Sequence, residues 1–240
     1  MFANAEAPQP PAPASLVEDC IDIWFAPSSV FARRQGGAWG PFLVATVLLC
    51  LLFYAAMGPM QGIFDTQFAK AVADMRAESP ELTEAQVAQI QGAMEASIRY
   101  GALVAIPAVI FLIGVVVWIV AKVLGGALSF GGGIMIASFA YLPKGLDLLA
   151  FIAQSFVFDG GAKAQFDYSV GVGRFLDPAM NPGLYAFLGR VDLFNIWITV
   201  LITLGLMHTA KLERSKAIAG GVAIWVLGGL PALLQAIGGS

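Results

Sequence analysis

A chain of 240 residues with a single histidine, His208, and two cysteines, Cys20 and Cys50, has little with which to hold a metal. There is no CxxC, and one histidine cannot supply the paired nitrogen ligands of a zinc site. Cys20 lies in the polar N-terminal part and Cys50 inside an apolar run, so the two do not meet in a disulfide. P-loop, HExxH and GxSxG motifs are missing, and no base and nucleophile stand at a recognisable spacing. No catalytic, cofactor-binding or metal-binding residue is therefore assigned, and the chain is not expected to be an enzyme. Charge is also scarce: only 12% of residues are charged, and the 13 basic ones stand singly or in pairs. Without a basic patch, nucleic acid is excluded as a partner. Residues 2–14, FANAEAPQPPAPA, lack the positive start and apolar core of a cleaved signal, so the first apolar run itself is expected to direct insertion.

What the chain has instead is five long apolar runs: Phe42 to Met57, Gly101 to Ala121, Gly131 to Phe158, Leu193 to Ala210 and Ala217 to Ile237. A bilayer core about 30 Å thick is crossed by about 20 apolar helical residues, so each run is a candidate crossing. A hydrophobic share of 58% and a mean hydropathy of +0.79 exceed what a soluble domain of this length needs for its core. The expected fold is an all-α integral membrane protein with five transmembrane helices and interfacial amphipathic helices, the lipid bilayer being its first partner.

The chain divides into a Pro/Ala-rich tail at 1–14, expected to be disordered or extended, an amphipathic segment at 15–39 and a five-helix domain at 40–240. Ser15 and Glu18 form a capping box ahead of two apolar stripes, Leu16/Cys20/Trp24 and Val17/Ile21/Phe25, with Glu18, Asp19 and Asp22 opposite and Pro27 ending the helix. Two readings are open for this helix: it lies in the membrane interface with Trp24 at headgroup depth, or it packs on the protein's own bundle. The hydrophilic insert at 61–100 repeats the pattern in Phe64/Phe68/Val72/Met75 and Val87/Ile90/Met94/Ile98. It predicts a helical hairpin turning at Ser79 and Pro80, whose acidic residues solvate its outer face.

Basic residues close to the runs set the orientation. Arg33, Arg34, Lys122, Lys211, Arg214 and Lys216 fall on one side of a five-crossing frame, and the acidic hairpin falls on the other. The N-terminus is then cytosolic and the C-terminus outside.

Three stretches carry a resemblance. GGALSFGGGIMIASFAYLP at 125–143 supplies Gly125, Gly126, Ser129, Phe130, Tyr141 and Pro143; VDLFNIWITVLITLGL at 191–206 supplies Asp192, Phe194 and Trp197; upstream stand Phe25, Pro27 and Phe31. In this order on a five-run frame they resemble the Yip1 domain family over residues 20 to 235. The resemblance implies five helices with a cytosolic N-terminus. Eukaryotic members work in traffic between endoplasmic reticulum and Golgi and bind Rab-type GTPases through a longer cytosolic N-terminal region. Here about 40 residues precede the first run. GTPase binding is therefore not expected, and the chain resembles a prokaryotic member of the bacterial inner (plasma) membrane, for which the resemblance implies no settled activity.

Read physically, Ser129, Gly133 and Ala137 make a small-residue face on which another helix packs, in the same subunit or in a second copy. Asp192 is placed to cap the fourth crossing or to meet a ligand. Lys144 and Asp147, after Pro143 in the third run, are the costly choice, since an ionised group at the bilayer centre costs about 2.5–3.5 kcal/mol. Either they pair inside the bundle, or Pro143 breaks the helix and leaves them near an interface. His208 reads as an interfacial histidine. Two function classes follow: a non-catalytic membrane organiser that oligomerises or recruits other membrane proteins, and a small solute transporter or lipid-translocating protein that uses the Lys144/Asp147 pair.

Overall fold

The computed structural model describes residues 14–34, 39–158 and 161–238. The tail ascribed to 1–14 lies, Ala14 apart, outside the described residues, as do the last two positions of the chain. Among the described residues the only strand-like feature is an isolated bridge between Gly171 and Asp192; the rest is helix and connection.

Helix α1 (Leu16–Phe25) starts at the Ser15 capping box, with Glu18 N–H donating to Ser15 Oγ at 3.2 Å and Ser15 N–H to Glu18 Oε2 at 2.6 Å. Pro27 closes α1 and opens α2 (Pro27–Arg33), where a missing N–H costs nothing. Of the two apolar stripes expected on α1, Leu16/Cys20/Trp24 turns to the bundle and Val17/Ile21/Phe25 does not. Ile23 and Asp19 are fully buried, whereas Val17, Ile21 and Phe25 are 70%, 55% and 85% exposed. The cause lies in α2 and its C-cap: Arg33 reaches Asp19 at 2.5 Å and Asp22 at 2.5 Å, and Arg34 bonds the other oxygen of Asp19. A carboxylate held by two guanidinium groups is neutralised well enough to be buried. Leu16, Cys20 and Trp24 pack against the core. Phe31 is buried edge-on to Phe139 at 6.3 Å, and its carbonyl accepts from Thr209 Oγ1 at 3.0 Å.

Helix α3 (Gly40–Ala56) ends in a short turn, after which α4 (Gln61–Glu78) departs at 76°. The chain reverses at 79–83, and the Thr83/Gln86 capping box starts α5 (Glu84–Val123). No strong breaker stands between Ile98 and Ala102, so the second arm of the hydrophilic insert and the second apolar run form one helix of 40 residues, about 60 Å long. Phe64 and Phe68 of α4 face Met94 and Ile98 of α5. Arg76 bridges to Glu84 at 2.5 Å, and Tyr54 Oη donates to the Arg99 carbonyl.

Helix α6 (Phe130–Tyr141) is the centre of the molecule, buried at every residue from Gly132 to Ala140. Its glycines let neighbours come close: a methyl group at Gly133 would lie 2.5 Å from the Gly114 carbonyl of α5 and 2.8 Å from Trp118 Cβ. Leu142 interrupts the helix, and Pro143 takes the first position of α7 (Pro143–Val157). A connection with a 3-10 turn (Val172–Phe175) and the short α8 (Pro182–Leu188) leads to α9 (Leu193–His208) and α10 (Arg214–Gly238). Gly205 of α9 receives Ile136 of α6, and Gly221 of α10 receives Thr203 of α9. Ala219 and Ala223 face outward, so glycines rather than alanines make the close contacts of α10.

By length and hydropathy three helical stretches among the described residues can cross a membrane: Glu84–Val123, Phe130–Val157 and Arg214–Gly238. The bent pair α3–α4 is a fourth if taken as one span. Helix α9 is apolar, but its 16 residues rise only about 24 Å. The links around Ala127 and Ala210 bond to each other, Ala127 N–H donating to the Ala210 carbonyl at 3.0 Å, at the end of the bundle that also holds α2. The α3–α4 turn and the connection before α9 meet at the opposite end, where the Ala162 carbonyl lies against Gly62.

Candidate functional site

Beneath that second end lies a cavity of about 790 Å³, walled by α4, the α6–α7 junction, the 161–192 connection, α9 and α10. The break at Leu142 determines what it receives from the third run. Tyr141 is the last residue of α6; after the break, Gly145 lets α7 lie on α3, where a methyl group would sit 3.1 Å from Leu52 Cδ1. Pro143 and Gly145 are buried, and Lys144 and Asp147 line the cavity. Lys144 Nζ donates to Asp147 Oδ2 at 3.0 Å, one helical turn away, with the two side chains 29% and 32% exposed. The pair is thus neither sealed inside the bundle nor out at the surface: it is a closed ion pair on a cavity wall.

From the opposite wall comes Arg190. The adjacent glycines of α10 make its bed, since a methyl group at Gly228 would fall 2.9 Å from its Nη2. Its guanidinium stands 5.7 Å from the Trp225 ring centre, and Nη2 donates to the Trp225 carbonyl at 3.0 Å. Burial lowers its pKa, while Tyr141 and Asp192 act in the other direction. Among the described residues its Nε has no hydrogen-bond partner, and neither has the hydroxyl of Tyr168, another wall residue; both atoms are packed away from the cavity's open space. An orphaned buried donor costs about 1–3 kcal/mol, so each of these packed atoms is a local cost of holding its side chain in the wall.

Asp192 borders the cavity too, but its carboxylate is committed. Oδ1 accepts from the N–H groups of Phe194 at 2.8 Å and Asn195 at 2.9 Å, and Oδ2 accepts from the Asn195 side chain. This caps α9 and satisfies orphan donors at its positive end. Asn195, fixed in this way and bonded to the Arg190 carbonyl at 3.1 Å, also faces the cavity.

Four of the residues singled out in the sequence, Tyr141, Lys144, Asp147 and Asp192, therefore line one cavity, with Pro143 buried behind them. Two others lie elsewhere: Trp197 packs against the core from α9, and Gly133 sits at the α5 contact in the first turn of α6. His208 occupies the last turn of α9 at the far end. Arg190, Tyr168 and Asn195 were not singled out in the sequence. The one local signal for Arg190 was a basic residue just before a helix start; its glycine bed is 38 and 39 positions away.

Compared with known protein families, residues 21–234 match the Yip1 domain, nearly the whole chain. No curated protein matches the chain, and no solved structure does.

Proposed function

The chain belongs to the Yip1 domain family, and from that premise we propose that it is a non-catalytic, multi-pass membrane protein that holds a polar or amphiphilic ligand in the cavity under Tyr141. The observation that carries this reading is the convergence of Lys144, Arg190 and Asn195, from α7, the 161–192 connection and α9, on one space of about 790 Å³. Small-molecule sites occupy about 300–1,000 Å³ and place a few polar groups on an otherwise apolar wall. The cavity favours a solute- or lipid-handling role over a purely organising one.

In this proposal α3, α5, α6–α7, α9 and α10 are the five crossings, with the α4–α5 hairpin and the C-terminal end of α10 outside and α1–α2 on the cytosolic surface. It is supported by Lys122, Lys211, Arg214 and Lys216, which lie at the α2 end of the bundle, away from the cavity. Reconstitution into liposomes tests the function: solute flux and lipid scrambling are measured for the wild type and for Lys144→Ala. Activity of the wild type that falls in the variant supports the cavity; a silent wild type that retains no ligand counts against it.

A second reading, the membrane organiser, is favoured by the exposed stripe of Val17, Ile21 and Phe25 on a helix clamped to the bundle through Asp19. Such a stripe inserts into the headgroup boundary and adds lateral pressure to one leaflet. Phe25→Glu, which leaves the clamp alone, separates the two readings: it weakens vesicle remodelling or partner recruitment under the organiser reading and leaves flux unchanged under the cavity reading.

A further inference from the structure

We propose that the cavity takes the headgroup of one anionic diacyl phospholipid, its phosphate at Arg190 and Lys144 and its two acyl chains in apolar grooves on either side. The proposal rests on the cavity being a ligand site and adds the class of ligand. Three hollows meet at Tyr141, which lines all of them. One groove of about 280 Å³ runs between α3, α5 and α7, walled by Leu49, Phe53, Ile106 and Ile110, and it shares Tyr141, Lys144, Asp147 and Leu148 with the cavity. The other, of about 310 Å³, runs between α5, α9 and α10, walled by Ile113, Ile198, Ile202 and Ile224, and it shares Tyr141, Arg190, Asn195 and Gly228 with the cavity. Each groove thus enters the polar space past a cation, Lys144 at the mouth of the more apolar one and Arg190 at the mouth of the other, which also carries Thr199. A headgroup with two chains fills all three spaces, whereas a soluble ion leaves both grooves unused.

The charges choose the sign of the headgroup. Asp147 is taken by Lys144, and Asp192 is spent on capping α9. Arg190 has the Trp225 carbonyl and ring but forms no ion pair among the described residues. A phosphate oxygen is the acceptor a guanidinium fork fits best. An ammonium would compete with Lys144 for Asp147, whereas Arg190 faces the space with no carboxylate bound among the described residues.

The test is native mass spectrometry of the full chain in detergent with phosphatidylglycerol, phosphatidylethanolamine and phosphatidylcholine of identical chains in equal amounts. One phosphatidylglycerol is retained in preference; Arg190→Gln lowers its retention about tenfold or more, and Arg190→Lys restores part of it. Val109 lines both grooves, so Val109→Trp, which keeps both cations, reduces retention of the long-chain lipid and leaves binding of glycerol phosphate unchanged. This variant decides the matter if Arg190→Gln does not fold. Equal retention of the three lipids, untouched by either variant, overturns the proposal. Glycerol phosphate or inorganic phosphate that binds and displaces no lipid also overturns it, while leaving the cavity as a ligand site. If no lipid and no phosphate binds and the liposomes show no flux, the cavity reading falls as well.

Discussion

Gly133 of α6 lies against the backbone carbonyl of Gly114 in α5, with room between them for a hydrogen and nothing larger. In lipid, where apolar surface gains nothing by leaving the solvent, such backbone proximity is what holds two helices together. The other side of Gly133 meets Trp118, so a larger side chain has no direction in which to turn.

Gly133→Leu is therefore expected to lower thermal stability in detergent by about 1–3 kcal/mol, the cost of an overpacked core, and Gly133→Ala by less. Differential scanning fluorimetry reads both. An unchanged melting temperature for the leucine variant would show that α5 and α6 do not pack this closely.

Sequence periodicity made Gly133 visible, because small residues every four positions mark a helix-packing face, but it said nothing of Gly114, which stands alone in a run of large apolar residues. Lys144 and Asp147 stood out for the same reason of contrast, as charges in an apolar run. Arg190 did not: its meaning depends on Gly228, Gly229 and Trp225, which only the α9–α10 contact brings near. Helix α1 was legible as a helix and in its Leu16/Cys20/Trp24 stripe, but not in the burial of Asp19. A helical wheel puts Asp19 outside, and only the return of Arg33 and Arg34, 14 and 15 residues on, turns it inward.

Asp19 is consequently a stability residue for the cytosolic end in the proposed orientation. Asp19→Asn keeps the shape but strands the Arg34 guanidinium and leaves Arg33 only Asp22, and breaking a buried pair costs about 3–5 kcal/mol. The loss is expected to be local: α1 and α2 loosen, and trypsin cuts at Arg33 or Arg34 earlier than in wild type. A digestion time course that matches wild type would mean that the clamp does not hold the segment.

Asp192→Ala removes an N-cap that accepts from two backbone N–H groups, at a cost of about 1–2 kcal/mol. Because the same carboxylate fixes Asn195 on the cavity wall, the variant should also weaken ligand retention. Asp192→Ser restores the cap without the second oxygen, so it should recover the melting temperature more fully than it recovers binding. Equal recovery of both would reduce Asp192 to a capping role.

Orientation is checked by cysteine labelling in a Cys20→Ala, Cys50→Ala background. Pro80→Cys, at the exposed tip of the hairpin, should react with an impermeant maleimide from outside, and Lys211→Cys, in the α9–α10 link, only after the membrane is opened. The reverse pattern inverts the protein in the membrane, and labelling of both positions from one side removes the five-crossing frame altogether.

The Lys144/Asp147 pair discriminates most sharply between structure and use. Exposed ion pairs contribute about 0–1 kcal/mol and buried ones cost about 3–5 kcal/mol to break, so side chains about one-third exposed on a cavity wall should lose an intermediate amount, about 1–2 kcal/mol, when one partner is removed. Lys144→Leu and Asp147→Leu should therefore each melt below wild type, and the double variant above either, because no charge is left stranded. If each single variant melts like wild type, water reaches the pair freely and the cavity wall is more open than this geometry. If the double variant is stable but retains less ligand than Asp147→Leu, which keeps the cation, the pair is maintained for binding and its stability is incidental.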